Sequence, residues 1–200
     1  MKLFFTPLPG YSQRVEIVAR EAGVYDRIEI VPTNPFESPA ALVAANPLSK
    51  VPTLVRDDGV PMFGGPVIYE YLDSFNTGTK LYPAEPAQRW DALRIFGLGE
   101  GMFDAADLRV VELRRAEGQK SDDWIARYQR AVDRSLDRLN EEAKTFTRFH
   151  IGHVSVAGAL MWFDYLKAAG RGDQTPWRPN RPVLAAWYEE TIKRPSFRKD

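Results

Sequence analysis

Backbone N–H groups, rather than side chains, are what the segment "GGP" at residues 64–66 offers to a ligand. A helix should begin here, because "PVIYEYLDSF" (66–75) has the apolar spacing of a helix. Helix starts favour Ser, Thr, Asp or Asn, and none is present. The free N–H groups and dipole of a helix N-terminus bind anions without a hydroxyl. Pro66 has no N–H. The N–H groups of Gly65 and Val67 would therefore bind an anion, unless the glycines only form a tight turn.

Metal and redox chemistry find little support in the sequence. The segment "HIGH" places His150 and His153 three residues apart, without an acidic or Cys partner nearby in the sequence, which is a weak metal pattern. The chain has no cysteine, and this excludes disulfides, thiolate metal sites and a cysteine nucleophile. We therefore expect no bound metal.

The elements that must position such groups change character along the chain. Short strands separated by turn residues alternate with helices in the order βαβαββα, which is typical of a thioredoxin-like α/β domain. Asp58-Gly59 predicts a hairpin, and Gly23 predicts a helix C-terminus. We predict strands at 2–6, 25–33, 51–57 and 60–63, and helices at 14–23, 40–46 and 66–75.

The second half of the chain is predicted to be an all-α helical bundle. Ser121 is a helix cap signal, and the segment 154–170 is apolar on nearly all sides, as in the central helix of a bundle. Glycines at 97, 99 and 101 indicate a bend or a close packing point in the first long helix. We predict a first domain at 1–76, a linker at 77–86 and a second domain at 87–200.

Composition limits the classes of partner. The 27 basic and 27 acidic residues give zero formal net charge, which argues against nucleic acid or a membrane surface bound through bulk electrostatics. No apolar run approaches the ~18 residues of a transmembrane helix, and the N-terminus lacks the apolar run of a signal peptide. We expect a cytoplasmic protein.

The sequence resembles the cytosolic glutathione S-transferases over nearly its whole length. The resemblance rests on "NPLSKVPTLVRDDGVPMF…VIYEYLD", on "LYPAEPAQRWDALRI" followed by "EGMFDAA", and on "RPVLAAWYEETIKRPSF", in order and at matching spacing. It implies the two-domain fold described above. It also implies that glutathione is the co-substrate.

The resemblance assigns glutathione-binding roles to two segments. In "KVPT" it implies a cis Val51-Pro52 bond, with the N–H and C=O of Val51 pairing with glutathione like an added strand. Lys50 would either reach a glutathione carboxylate or remain a solvated charge at the strand end. Gly64 and Gly65 stand where the family usually has an acidic or Gln residue followed by Ser. The γ-glutamyl carboxylate would thus be bound by the N–H groups of Gly65 and Val67, or not at all.

The group that activates the thiol is also altered. Alignment puts Pro9 where Ser-type members have the Ser that donates to the thiolate, and proline has neither hydroxyl nor N–H. Three nearby residues are candidate donors in its place: Tyr11, Ser12 and Thr6. Ser12 would serve equally well as a helix cap, and Thr6 as a strand residue.

The resemblance further implies a pocket for an apolar electrophile and a homodimer. The candidate pocket residues are Phe5, Leu8, Met102, Phe103 and Trp162, all of which are equally suited to simple core packing. In the family, the place of His150 and His153 carries a Thr/Ser-x-x-Asp capping box, which is absent here.

Three functions are open. The first is a detoxification enzyme that activates the glutathione thiol and adds it to an apolar electrophile. The second is a non-catalytic or weakly glutathione-binding protein on the same fold, because Pro9, Gly64 and Gly65 all depart from the family pattern. The third is a glutathione-dependent lyase or isomerase.

Overall fold

A computed structural model describes residues 1–171 and 176–198. The chain divides into two compact units. The first contains Met1–Pro86 together with Pro195–Phe197, and the second contains Ala87–Arg194 and Arg198.

The first unit is built on a four-stranded mixed sheet of order β2-β1-β3-β4. Strand β1 pairs in parallel with β2 and antiparallel with β3, and β3 pairs antiparallel with β4. The strands are Lys2–Phe5 (β1), Glu29–Pro32 (β2), Thr53–Val55 (β3) and Pro61–Phe63 (β4). The helices are Tyr11–Glu21 (α1), Ala40–Ala45 (α2) and Gly65–Ser74 (α3). The predicted βαβαββα order and fold class are confirmed.

A glycine lies at each end of α1, and the N-terminal one explains why the helix starts earlier than predicted. The helix begins at Tyr11 rather than Arg14, because Gly10 takes a φ of 140° and acts as the N-cap. At the other end Gly23 has a φ of 68°, the left-handed conformation expected beyond a helix C-terminus. Ser12 lies inside the helix and is therefore not its cap.

The predicted linker is held against the end of α3 by a buried carboxylate. Asp73, which is 2% exposed, accepts hydrogen bonds from the backbone N–H groups of Leu81 and Tyr82, each at 2.9 Å. The Lys80 ammonium donates to the carbonyls of Asp73 and Ser74 at 2.8 and 2.9 Å, near the negative end of the helix dipole. The polar segment is thus fixed in place.

The second unit is helical, as predicted. It contains Pro86–Leu113 (α4), Asp122–Glu142 (α5), Ile151–Ala168 (α6) and Pro182–Thr191 (α7). Helix α6 is buried over most of its length. A Cβ at Gly99 would lie 2.6 Å from Ser155 Oγ, and one at Gly152 would lie 2.7 Å from the Ala92 carbonyl oxygen. These two glycines let α4 and α6 approach closely, whereas Gly97 and Gly101 have open space around them.

A histidine caps α6 where the family has a hydroxyl. The Nδ1 atom of His150 accepts the Gly152 N–H at 3.1 Å, so the side-chain cap is retained although the usual residues are absent. Burial lowers the pKa of His150 to about 4, and the charge of Arg148 adds to this effect. The ring is therefore neutral near pH 7 and can accept the hydrogen bond.

Candidate functional site

Strand register brings three turns of the first unit to one end of the sheet. Thr53 lies opposite Phe4 on one side and opposite Phe63 on the other, with both pairings antiparallel. The segments that follow β1, precede β3 and follow β4 therefore meet at the same end of the sheet. Thr6, the Val51-Pro52 bond and Gly64 lie together at this end.

The turn before β3 presents free backbone groups. The Val51-Pro52 peptide bond is cis, as predicted. Pro52 is buried and Val51 is half-buried. Within residues 1–171 and 176–198, the N–H and C=O of Val51 have no hydrogen-bond partner. These two groups can therefore bond to an extended ligand backbone.

A buried amide that the sequence reasoning missed holds this turn in shape. Asn46, 1% exposed, donates to the Lys50 carbonyl at 3.1 Å and to Thr53 Oγ1 at 2.9 Å. The Thr53 hydroxyl donates in turn to the same Lys50 carbonyl at 2.7 Å. The Lys50 side chain is exposed, and its ammonium has no partner in the described part of the chain. It thus keeps its charge available beside the turn.

The start of α3 offers fewer N–H groups than an ordinary helix. Gly64 takes a φ of 88° as the N-cap and makes no side-chain cap. The Val67 N–H already donates to the Gly64 carbonyl at 3.1 Å, and Pro66 has no N–H. In the described ranges, the N–H groups of Gly64 and Gly65 have no partner. The anion-binding groups at this end are therefore those of Gly64 and Gly65 rather than that of Val67.

A tyrosine explains why residue 65 is a glycine. A Cβ at Gly65 would lie 2.7 Å from the hydroxyl of Tyr69, closer than such atoms can approach. Tyr69 is fully buried and donates a hydrogen bond to the Tyr11 carbonyl at 3.3 Å. The first turns of α3 and α1 are thereby joined. The helix was predicted to begin at residue 66, so the four-residue spacing that brings Gly65 and Tyr69 together became evident only once α3 was seen to begin at Gly65.

The hydroxyl donors differ in how far they are available. Ser12 is 1% exposed, and its Oγ accepts the Thr6 N–H at 3.3 Å, which closes the turn. Tyr11 is half-buried, and the Arg14 guanidinium lies 5.6 Å from the centre of its ring. Thr6 is half-buried and Pro9 contributes no donor. Tyr11 and Thr6 are therefore more accessible to a ligand than Ser12.

The electrostatics of this end of the sheet favour an anion. Neither α1 nor α3 has an acidic residue in its first turn. The positive ends of both helix dipoles lie here without a protein carboxylate in either first turn to neutralise them. A carboxylate or a thiolate is the kind of group that this arrangement stabilises.

The candidate pocket residues lie in both units and are described within each. In the first unit Phe5 is buried at the end of β1, and Leu8 is exposed on the following turn. In the second unit Met102 and Phe103 are buried on α4, and Trp162 of α6 packs against Phe103 with ring centroids 5.9 Å apart.

The described residues contain no group of three side chains that could hold a metal ion. The rings of His150 and His153 stack at 3.7 Å, and His153 also contacts Phe146. The pair therefore belongs to an aromatic cluster. No helix in the described part of the chain is long and apolar enough to cross a membrane.

Comparison with known proteins agrees with this architecture. The sequence profile of the glutathione S-transferase N-terminal domain matches residues 10–74, and that of the C-terminal domain matches residues 122–190. The chain is 28% identical over 202 residues to the uncharacterized GST-like protein YibF of Escherichia coli, covering 98% of this chain and 96% of the relative.

Solved structures match over the same length. A glutathione transferase family member from Pseudomonas fluorescens Pf-5, crystallised with bound glutathione, is 33% identical with a TM-score of 0.88 over 98% of this chain and 96% of its own. A second crystal structure from the same source contains S-(propanoic acid)-glutathione, at a TM-score of 0.85, 32% identity and the same coverage of both chains. A glutathione S-transferase from Methylobacillus flagellatus with bound glutathione is 27% identical with a TM-score of 0.89 over 98% and 96%. The chain therefore belongs to the glutathione S-transferase family.

Proposed function

We propose that this protein is a glutathione transferase that binds glutathione at the end of the sheet where β1, β3 and β4 meet. The observation that carries the proposal is the pair of free backbone groups on Val51 beside the uncommitted N–H groups of Gly64 and Gly65. The relatives crystallised with glutathione support it.

Each part of glutathione has a proposed partner. The N–H and C=O of Val51 pair with the cysteinyl backbone, and the N–H groups of Gly64 and Gly65 hold the γ-glutamyl carboxylate. Lys50 reaches the remaining carboxylate as a solvent-exposed charge. The Val67 N–H, engaged by Gly64, adds little.

The thiol is proposed to react as a thiolate, which needs a pKa below the ordinary ~8.5 of a free thiol. The N-terminal dipole of α1 and a hydrogen bond from Tyr11 or Thr6 would lower it. The thiolate sulfur then attacks an electrophilic carbon and forms a bond to it. In a substitution the leaving group departs with the electron pair of the broken bond, and in an addition the co-substrate takes up a proton. Of the candidate pocket residues, Phe5 and Leu8 lie in the same unit as this site and remain proposed contacts for that co-substrate.

The second candidate is a protein that binds glutathione weakly and does not turn it over. It is favoured by the loss of accessible side-chain donors, since Pro9 and Gly65 offer none and the Ser12 hydroxyl is buried. The proposed setting for either function is the cytoplasm, because a thiol co-substrate needs a reducing compartment.

Calorimetric titration tests the proposal. Glutathione should bind at millimolar concentration or below, and cysteinylglycine, which lacks the γ-glutamyl group, should bind more weakly. Equal binding of the two would remove the α3 start from the site. Lys50→Met should weaken glutathione about two- to fivefold, as for an exposed ion pair, whereas Lys144→Met should not.

Turnover of an aryl halide then separates the candidates. Glutathione binding without turnover would favour the non-catalytic protein. The absence of a heat of binding in the glutathione titration would overturn the transferase proposal.

A further inference from the structure

Arg109 on α4 is a buried charge with no neutralising partner among the described residues. The residue is 6% exposed, and its Nε and Nη1 atoms are buried without a hydrogen-bond partner. Among residues 1–171 and 176–198 it has no ion pair, no hydrogen bond and no aromatic ring under its guanidinium. An arginine does not deprotonate in proteins, so burying it unpaired is strongly unfavourable.

The two carboxylates closest to Arg109 in the sequence, those of Asp107 and Glu112, make no ion pair with it. Glu112, one helical turn further on, accepts hydrogen bonds from Arg115 Nε and from the Ser121 N–H, both at 2.9 Å. Burial raises the pKa of Asp107, and the positive charge that opposes this shift is that of Arg114 rather than that of Arg109. One turn before Arg109 the helix carries Ala105 and Ala106, which have no polar side chain.

Arg181 in the same unit shows what a satisfied buried arginine looks like here. It is also 6% exposed, but its Nε donates to Asp137 at 2.8 Å and its Nη2 lies 3.4 Å from Asp133. The two arginines are equally buried, but only Arg181 has carboxylate partners among the described residues. The lack of a partner is therefore specific to the surroundings of Arg109.

The position of Arg109 on the helix also points to a ligand. Ile95, Met102 and Arg109 recur at seven-residue intervals, so the guanidinium lies on the otherwise apolar buried face of α4. A second buried donor in this unit, Trp162 Nε1, also lacks a partner within the described ranges. Its ring packs on Phe103 of the same helix. Within residues 1–171 and 176–198, Arg109 and Trp162 therefore each leave a buried donor available to an acceptor on a ligand.

We propose that Arg109 binds the carboxylate of a small-molecule ligand. A guanidinium matches the two oxygens of a carboxylate with parallel hydrogen bonds. Because only 6% of Arg109 is exposed, a small molecule rather than a broad protein surface is the expected source of the carboxylate.

The test is a titration of the full-length protein without glutathione. Sodium benzoate and sodium propionate are compared with benzamide and propionamide, with inorganic phosphate, and with sodium chloride at equal ionic strength. We expect the carboxylates to raise the melting temperature and the amides to leave it unchanged. Arg109→Met should weaken benzoate about 10- to 100-fold, the loss of a hydrogen bond to a charged group.

Unliganded Arg109→Met should melt at a higher temperature than the parent protein, because the unpaired charge is gone, whereas Arg181→Met should melt lower and keep its response to benzoate. Arg109→Gln provides a second variant of similar size, and it should lose the benzoate response as Arg109→Met does.

Three results would overturn the proposal. The first is an unchanged benzoate affinity in Arg109→Met and Arg109→Gln. The second is a response to phosphate but not to carboxylates. The third is the absence of any response to carboxylates in the parent protein. If the dimer of Arg109→Met also dissociates more readily, the acid that pairs with Arg109 is assigned to a second copy of the chain. Glutathione affinity is measured separately, so failure of the transferase proposal leaves the benzoate result intact.

Discussion

At the scale of single residues, Ser12 is better placed to hold a turn than to activate a thiol. Its hydroxyl accepts the Thr6 N–H, and the residue is almost fully buried. Ser12→Ala should therefore lower the free energy of unfolding by about 1 kcal/mol, a typical net value for one hydrogen bond. It should leave the pKa of the bound glutathione thiol unchanged.

Ultraviolet titration of the thiolate in the glutathione complex measures that pKa. Tyr11→Phe is the matched variant and should raise the thiol pKa if the phenol is the donor. A raised thiol pKa in Ser12→Ala with unchanged stability would contradict this assignment.

The two histidines make a second residue-scale prediction, about pH. Burial lowers the pKa of His153 to about 3, and the neighbouring His150 adds to this effect while the Arg148 carbonyl opposes it. Both rings are therefore neutral in the folded protein, and in the unfolded chain they titrate near 6.5. Their contribution to stability is complete above about pH 6.5 and is lost as the pH falls toward 4.

When the pH falls from 7.5 to 5, each of the two histidines should lower the free energy of unfolding by about 2 kcal/mol, by the linkage relation. Urea unfolding at the two pH values measures the loss. His153→Phe, which keeps the ring in contact with Phe146 but cannot be protonated, should reduce the loss by about half. An equal loss in this variant would assign the acid sensitivity to carboxylates instead.

At the scale of elements, the joint between α1 and α3 sets the chemistry available at the α3 start. Because the Tyr69 hydroxyl occupies the space of a side chain at residue 65, the family's serine does not fit here. The contact from Tyr69 to the Tyr11 carbonyl then holds both helix starts together. The loss of a hydroxyl at residue 65 is thus coupled to a packing contact four residues away.

Gly65→Ser should therefore destabilise the protein by about 1–3 kcal/mol, as overpacking does. The same substitution in a Tyr69→Leu background should cost less, because Leu lacks the phenol. A thermodynamic cycle of the two substitutions, measured by urea unfolding, should give a coupling energy of about 1–2 kcal/mol. Additive effects would show that Tyr69 does not determine the residue at 65.

At the scale of the whole molecule, the homodimer implied by the family is still a proposal for this chain. Closed two-fold dimers are the commonest assemblies of soluble proteins, and zero formal net charge imposes no long-range repulsion between copies. Sedimentation velocity at micromolar concentration should give twice the chain mass of 22.7 kDa. A monomer at every concentration would contradict the expectation.

Much of the fold could be predicted because its signals are local. The Asp58-Gly59 hairpin, Gly23 beyond α1 and the apolar pattern of α6 each follow from a few neighbouring residues. The early start of α1 could not be predicted, because it depends on Gly10 adopting a positive φ in a turn closed by Ser12 and Thr6. Nor could the cap on α6, since histidine is an unusual helix cap.

The sequence by itself determined the order of the elements, the family and the residues that had lost their usual hydroxyls. Periodicity and motif spacing carry that information along the chain. The tertiary structure decided which groups remained free. Among the described residues, the Val67 N–H has a hydrogen-bond partner and that of Val51 has none, and Arg181 pairs with carboxylates whereas Arg109 does not. Hydrogen-bond partners and burial depend on contacts between distant segments, so residue types alone do not specify them.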